Sequence, residues 1–149
     1  MNLGSGDRKQ EGWINLDRAG RPDVLFDLER MPLPFPDGSM EKVLASHVLE
    51  HIVKLVELVN DVHRVLAAGG EFLVAVPEFP TVSAVKDPGH VRFFVEETFT
   101  QYFGHGAELG YDNPFLPWKI KDVKTHRQGR EGVIVAVMEP VKRGCGQAQ

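Results

Sequence analysis

The chain has almost no cysteine. Cys145 is the single thiol in 149 residues, so no disulfide can close within it, and a reducing, cytoplasmic setting is the expectation. It has no apolar run long enough to cross a bilayer and no signal-peptide pattern. It also lacks a positive balance. Its 17 Lys and Arg stand against 21 Asp and Glu, a net charge of −4, which removes the whole-chain case for nucleic-acid binding. A local basic cluster (Lys119, Lys121, Lys124, Arg127 and Arg130) reads as a solvated hairpin. Internal repeats and low-complexity tracts are missing. With 42% hydrophobic and 26% charged residues, the chain suits one globular domain over residues 1–143, with a frayed tail at 144–149.

What is present is a glycine turn after a short apolar run. Met1 and Leu3 give way to Gly4 and Gly6, one residue apart. A strand that breaks into two glycines lets backbone approach a ligand closely and leaves N–H groups free to bind it. The pattern then predicts strands over residues 2–4, 13–17, 24–26 and 42–46, the last mostly apolar and therefore central. Pro32, Pro34, Pro36 and the Asp37-Gly38 turn make residues 31–39 an extended loop. Val53, Leu55, Val56, Val59, Val62, His63 and Leu66 recur at helical spacing, with Gly69-Gly70 as the stop. A fifth strand is expected over 71–77 and a short helix over 96–103, ending at Gly104. A hairpin is expected from 118–126 and 133–138, turning at Gln128-Gly129-Arg130. Phe93, Phe94, Phe99 and Phe103 are expected in the core with Trp13 and Trp118, although Trp118 and Tyr111 could instead wall an acceptor pocket. Strands alternating with helices and closing on a hairpin argue for an α/β fold with a mostly parallel sheet and one antiparallel edge.

In open sheets of this kind a ligand sits at the carboxyl ends of the strands, where the strand order switches. That rule selects Gly4-Ser5-Gly6, Asp17, Asp27-Leu28, Ser46-His47 and Pro77-Glu78. The set has chemical sense for a nucleoside. Asp17 can accept two hydrogen bonds from ribose hydroxyls. Asp27 can accept one from an adenine amino group, with Leu28 against the ring. The glycine turn offers N–H groups to a carboxylate or a phosphate. A dinucleotide is disfavoured, because G-x-G-x-x-G would need glycine where Lys9 stands. Moreover, only residues 5–12 separate Gly4 from Trp13, short of the ~10–12 that a crossover with a helix takes.

The segments LGSGDRKQEGWINLD, DLERMPLPFPDGSMEKVLASHVLEHI, HRVLAAGGEFLVAVPEF and DPGHVRFF, in that order, resemble the class I S-adenosylmethionine-dependent methyltransferases, in the branch similar to the type 11 methyltransferase domain. The resemblance implies a Rossmann-like sheet in the order 3-2-1-4-5-7-6, with the hairpin as strands 6 and 7. It implies S-adenosylmethionine as cofactor, with Gly4, Ser5 and Gly6 beside its methionine part. Asp17 would then hold the ribose, Asp27 and Leu28 the adenine, and Ser46 and His47 the region near the sulfonium. Relatives carry helices before the first strand. The expectation is that this cap is missing and that the segment around 7–12 is a loop, leaving a reduced N-terminal half and one thinly covered face. A homodimer or another partner could cover it.

His47, in a strand-end position, and His90, in the loop after the fifth strand, are the candidates for a catalytic base toward an acceptor hydroxyl. Asp87 and Arg92 flank His90 and could tune it or bind substrate. His63 reads as packing, while His105 and His126 carry no signal. His47-Val48-Leu49-Glu50-His51 also matches H-x-x-E-H, a zinc-peptidase pattern. That reading needs the pattern inside a helix, and the strand before it argues against one, so no metal is expected. The favoured function is methyl transfer to a small-molecule or glycan acceptor. The alternatives are a cofactor-binding module without turnover and, less favoured, the zinc hydrolase.

Overall fold

The computed structural model describes residues 1–104 and 112–142. The seven strands are β1 (Asn2–Leu3), β2 (Asn15–Asp17), β3 (Val24–Leu25), β4 (Met40–Ser46), β5 (Leu66–Pro77), β6 (Trp118–Gln128) and β7 (Glu131–Pro140). They form a single sheet in the order β3-β2-β1-β4-β5-β7-β6. The first five run parallel, and β7 enters antiparallel between β5 and β6. This is the expected α/β, Rossmann-like topology, with the hairpin as its antiparallel edge. The switch point falls at β1, with β2 on one side (Leu3 opposite Leu16) and β4 on the other (Leu3 opposite Ala45).

Between β4 and β5 the chain makes one 3₁₀ turn (Leu49–His51) and the helix α1 (Leu55–Val65). A short helix α2 (Val82–Val85) and a π-helical segment (Thr98–Phe103) follow β5. The core lies where α1 and the aromatic segment meet the central strands. Val43, Leu58, Val59, Val62, Phe72, Phe99 and Met138 are fully buried there. Each such side chain contributes about 1.5–3 kcal/mol relative to exposure.

The structure corrects several sequence expectations. Helix α1 buries Leu58 and Val65, whereas Val53 precedes it and is 63% exposed. Gly69-Gly70 does not stop the helix, which ends at Val65 because Leu66 is already extended and pairs with Met40. The strand then arcs through 67–70 and rejoins β4 at Glu71 opposite Lys42. Gly70 has no room for a side chain there, since a Cβ would lie 2.9 Å from the Glu41 carbonyl oxygen. Trp118 is core, 2% exposed with its ring on His63, whereas Trp13 is only half-buried. Phe94, Phe99 and Phe103 stack in series, but Phe93 is 54% exposed against Phe79. The basic hairpin is interleaved with acids: Arg127 pairs with Glu78, Lys121 with Glu71, and Lys124 with Asp122. Tyr111, His105, Cys145 and the tail at 144–149 lie outside the described residues.

No helix links β1 to β2, as expected. The loop is held instead by two buried asparagines. Asn2 donates its side-chain amide to Asn15 Oδ1 at 3.0 Å, and that oxygen also accepts the Gln10 N–H at 2.8 Å. The Asn15 amide group donates to the carbonyls of Gln10 and Trp13 and to Asp23 Oδ2. One side chain thus satisfies the backbone groups that a crossover helix would satisfy internally.

Candidate functional site

A cleft of about 500 Å³ opens at the carboxyl ends of β1, β2, β3 and β4. Its floor is Gly4, whose φ of +58° turns the chain sharply after β1. Two residues on, Gly6 (φ +50°) donates its N–H to Asp17 Oδ2 at 2.7 Å. Asp17, the last residue of β2, accepts the Ala19 N–H on its other oxygen at 3.0 Å. The carboxylate therefore shapes the glycine turn and lines the cleft at once. Asp27 is fixed similarly, by an Asx turn onto the Glu29 N–H at 3.0 Å, beside Phe26 and Leu28.

The opposite wall comes from the segment after β4. His47 adopts φ +55°, its N–H bonded to the Ala75 carbonyl at 2.8 Å, and its half-exposed ring lines the cleft. Val48 packs under Gly4, and His51 and Gly89 complete the rim. Two ties hold this wall. Helix α1 has no side-chain cap of its own, and Glu29 supplies one from across the cleft, accepting the N–H groups of Val53 (2.7 Å) and Lys54 (3.1 Å). Arg92 reaches back to the carbonyl of Ile52 at 2.9 Å and to that of Val53. Arg92 is thus a strut between the 87–94 loop and the start of α1.

Of the residues chosen from the sequence, the fold brings Gly4, Asp17, Asp27, Leu28 and His47 together around the cleft. Ser5, Gly6, Ser46 and His90 are not among its lining residues. Ser5 is buried and its Oγ has no hydrogen-bond partner. Ser46 is exposed on the β4 end. His90 sits behind His51, ring against ring at 4.8 Å, with its side chain 7% exposed. Glu78, also at a strand end, turns to Arg127 instead, and that guanidinium holds its carboxyl below the usual range. Phe26, Glu29, His51 and Gly89 were not foreseen. Glu29 acts through a contact distant in sequence, and the sequence offers His51 only as part of a metal motif or as a packed or capping residue.

The zinc-peptidase reading fails on backbone geometry. It needs His47 and His51 one turn apart on one helix, but His47 is left-handed at a strand end and only 49–51 form a 3₁₀ turn.

This sheet order, with a cleft at the β1 switch point floored by a glycine turn and walled by acids after β2 and β3, is the arrangement of the class I methyltransferase fold. The family described as "Methyltransferase domain" matches residues 11–74, a little under half of the chain. A probable S-adenosylmethionine-dependent methyltransferase of Mycolicibacterium smegmatis is 35% identical over 52% of this chain and 38% of its own length. The ubiquinone/menaquinone biosynthesis C-methyltransferase UbiE of Geobacter sp. is 31% identical over 58% of this chain and 33% of its own. The chain therefore spans only 33–38% of the length of these curated relatives. Among solved structures, the Burkholderia thailandensis 1,6-didemethyltoxoflavin-N1-methyltransferase with bound S-adenosylhomocysteine has a TM-score of 0.67, at 12% identity over 95% of this chain and 70% of that one. The complex of the Haloferax volcanii Trm112 methyltransferase activator with a methyltransferase has a TM-score of 0.63, at 14% identity over 93% and 80%. At these identities the likeness is one of fold.

Proposed function

We propose that the protein transfers a methyl group from S-adenosylmethionine to a small-molecule or glycan acceptor. The observation that carries the reading is the Gly4–Gly6 turn, locked by the Asp17 carboxylate at the floor of the cleft. Three features support the fit of this cofactor. The cleft, about 500 Å³, is in the range that holds a nucleoside-sized ligand. Gly6, just outside the cleft lining, has nothing within 4 Å of where a Cβ would stand, which leaves room for a ligand that extends past Gly4 along the turn. The lining offers carboxylates to accept hydrogen bonds from hydroxyls and an amino group, and Phe26 with Leu28 for a ring face, but no helix N-terminus for a pyrophosphate.

When bound, S-adenosylmethionine supplies an electrophilic methyl on a sulfonium. The chain's own part is to hold the acceptor in line and exclude water, which can supply much of the rate. His47 lines the cleft wall, which supports it as the residue that contacts the acceptor. The lone cysteine and net charge of −4 favour a cytoplasmic enzyme with a non-nucleic-acid substrate. Edge strand β3 exposes Leu25 (70%), which supports a second copy or another protein against that edge. Sedimentation showing only monomer would remove the dimer.

Calorimetric titration with S-adenosylhomocysteine tests the core of the proposal. Saturable one-to-one binding is expected, weakened at least tenfold in Asp17→Ala, because loss of a charged hydrogen-bond partner costs about 1.5–3 kcal/mol. No heat at millimolar ligand, or equal affinity in Asp17→Ala, would overturn it.

A further inference from the structure

We propose that Glu50, His51 and His90 form a binding site for a divalent first-row transition cation at the rim of the cleft. The first observation is a stranded carboxylate. Glu50 is 1% exposed, and neither carboxylate oxygen has a hydrogen-bond partner. His47 Nδ1 stands 3.4 Å from Oε1, within ion-pair reach if that ring is protonated but outside hydrogen-bond geometry. A carboxylate taken out of water without a donor is costly, and a cation is the usual remedy.

The second observation is the state of the two imidazoles. His51 Nδ1 lies 3.1 Å from the Gly89 carbonyl, and His90 Nδ1 lies 2.8 Å from the Ala84 carbonyl. A carbonyl oxygen only accepts, so both Nδ1 atoms carry hydrogen. In the neutral rings Nε2 is then left with its lone pair. This is how proteins fix metal-ligating histidines, with the far nitrogen donating to backbone. One ligating atom from each of Glu50, His51 and His90 lies within 4.8 Å of the others. A cation bonded at about 2.1 Å would draw such atoms to about 3.4 Å, so the exposed His51 ring would move on binding.

The supporting shell is built as well. The Gly89 N–H bonds Asp87 Oδ1 at 2.7 Å, the Val91 N–H bonds the Glu50 carbonyl at 2.9 Å, and Asp87 Oδ2 stands 3.7 Å from His90 Nε2. Two nitrogens and one carboxylate suit Zn²⁺, Mn²⁺ or Fe²⁺ better than Mg²⁺ or Ca²⁺. The histidine motif thus enters in a combination different from the zinc-peptidase pattern, with His90 replacing His47. His51 belongs to both the site and the cleft lining, so a cation held there would stand at the rim of the cleft. An acceptor held there binds through oxygen, as a hydroxyl or carboxylate. That role rests on the methyl-transfer reading, whereas the site itself does not.

Calorimetric titration of chelator-treated protein with ZnCl₂ and MnCl₂, in the absence of cofactor, tests the site. One equivalent of at least one of these ions should bind. Binding should weaken tenfold or more in Glu50→Gln, in His51→Ala at the exposed rim, and in His90→Ala. His126→Ala, on the hairpin, should bind as the parent does. Each variant's far-ultraviolet circular dichroism confirms its fold, and His51→Ala serves if a buried variant does not fold. No saturable binding of either ion at 1 mM, or equal binding by Glu50→Gln and His51→Ala, overturns the proposal. Because S-adenosylhomocysteine binding is read separately, metal binding without cofactor binding would sink the methyl-transfer reading and leave the site standing.

Discussion

At the residue scale, Gly4 and Gly6 look equivalent in the sequence but meet different demands. Both have positive φ, so an L side chain costs roughly 1–2 kcal/mol at either. At Gly4 a Cβ would also fall 2.6 Å from Val48 Cγ2, in a wall that is 6% exposed, whereas at Gly6 it would meet nothing within 4 Å. Overpacking of that sort adds about 1–3 kcal/mol. Chemical denaturation should therefore show Gly4→Ala less stable than Gly6→Ala by at least about 1 kcal/mol. Equal losses would mean that Val48 yields freely and that the cleft floor is not tightly packed. That a turn stood here was legible from glycine spacing alone. The difference between its two glycines was not, because Val48 reaches Gly4 only through the β1–β4 pairing.

At the element scale, the loop from β1 to β2 stands where this fold otherwise places a helix, and Asn15 is what replaces it. Its side chain is 3% exposed and bonds Asn2, Gln10, Trp13 and Asp23. Asn15→Ala leaves the Asn2 amide only its 3.4 Å bond to the Arg8 carbonyl and unpairs several loop backbone groups, and should cost roughly 2–4 kcal/mol. Hydrogen exchange gives a sharper reading than stability. The Gly6 and Gln10 amides should exchange faster in the variant, while the β5–β7 ladder keeps its protection relative to global unfolding. Uniform change across both regions would mean that the loop is held some other way. The sequence showed the loop through its shortness, but it hid the device that orders it. An asparagine between apolar neighbours Ile14 and Leu16 reads as the outward position of an alternating strand, yet here it faces inward. The same limit applies to helix α1. Apolar spacing located it, but its cap is Glu29, 25 residues from Lys54, and no local signal links the two.

At the scale of the whole molecule, the ordered strands, the hairpin edge and the acids at strand ends were readable, because each is set by local pattern and chain order. Side chains that satisfy one another across the sheet were not readable, and they govern how stability responds to acid. His63 is buried beside Trp118, with Nε2 3.2 Å from the Pro117 carbonyl, and burial first, then nearby Lys142, pushes its pKa below the ordinary 6.5. The folded state therefore resists protonation that the unfolded chain accepts. The stability this contributes is full above pH 6.5 and is lost as pH falls through the lower folded value. A separate group of carboxylates is held low by partners. Asp23 is lowered to about 2 by Lys9 and then Asn15, Glu71 by Lys121 and Lys42, Glu78 by Arg127, and Glu131 by Lys86. Their contribution is present above the usual carboxylate range near 4 and is lost as pH falls toward the folded values. The melting temperature should thus decline in two stages below neutrality. His63→Phe should shrink the upper stage, read as the drop in melting temperature between pH 8 and pH 5.5, and leave the lower stage in place. Salt at 1 M, with a Debye length of about 3 Å, should shrink the lower stage, since the Asp23–Lys9 and Glu71–Lys121 pairs are solvent-accessible, while the desolvation at His63 is not screened. An upper stage of equal size in His63→Phe would place that sensitivity elsewhere in the molecule.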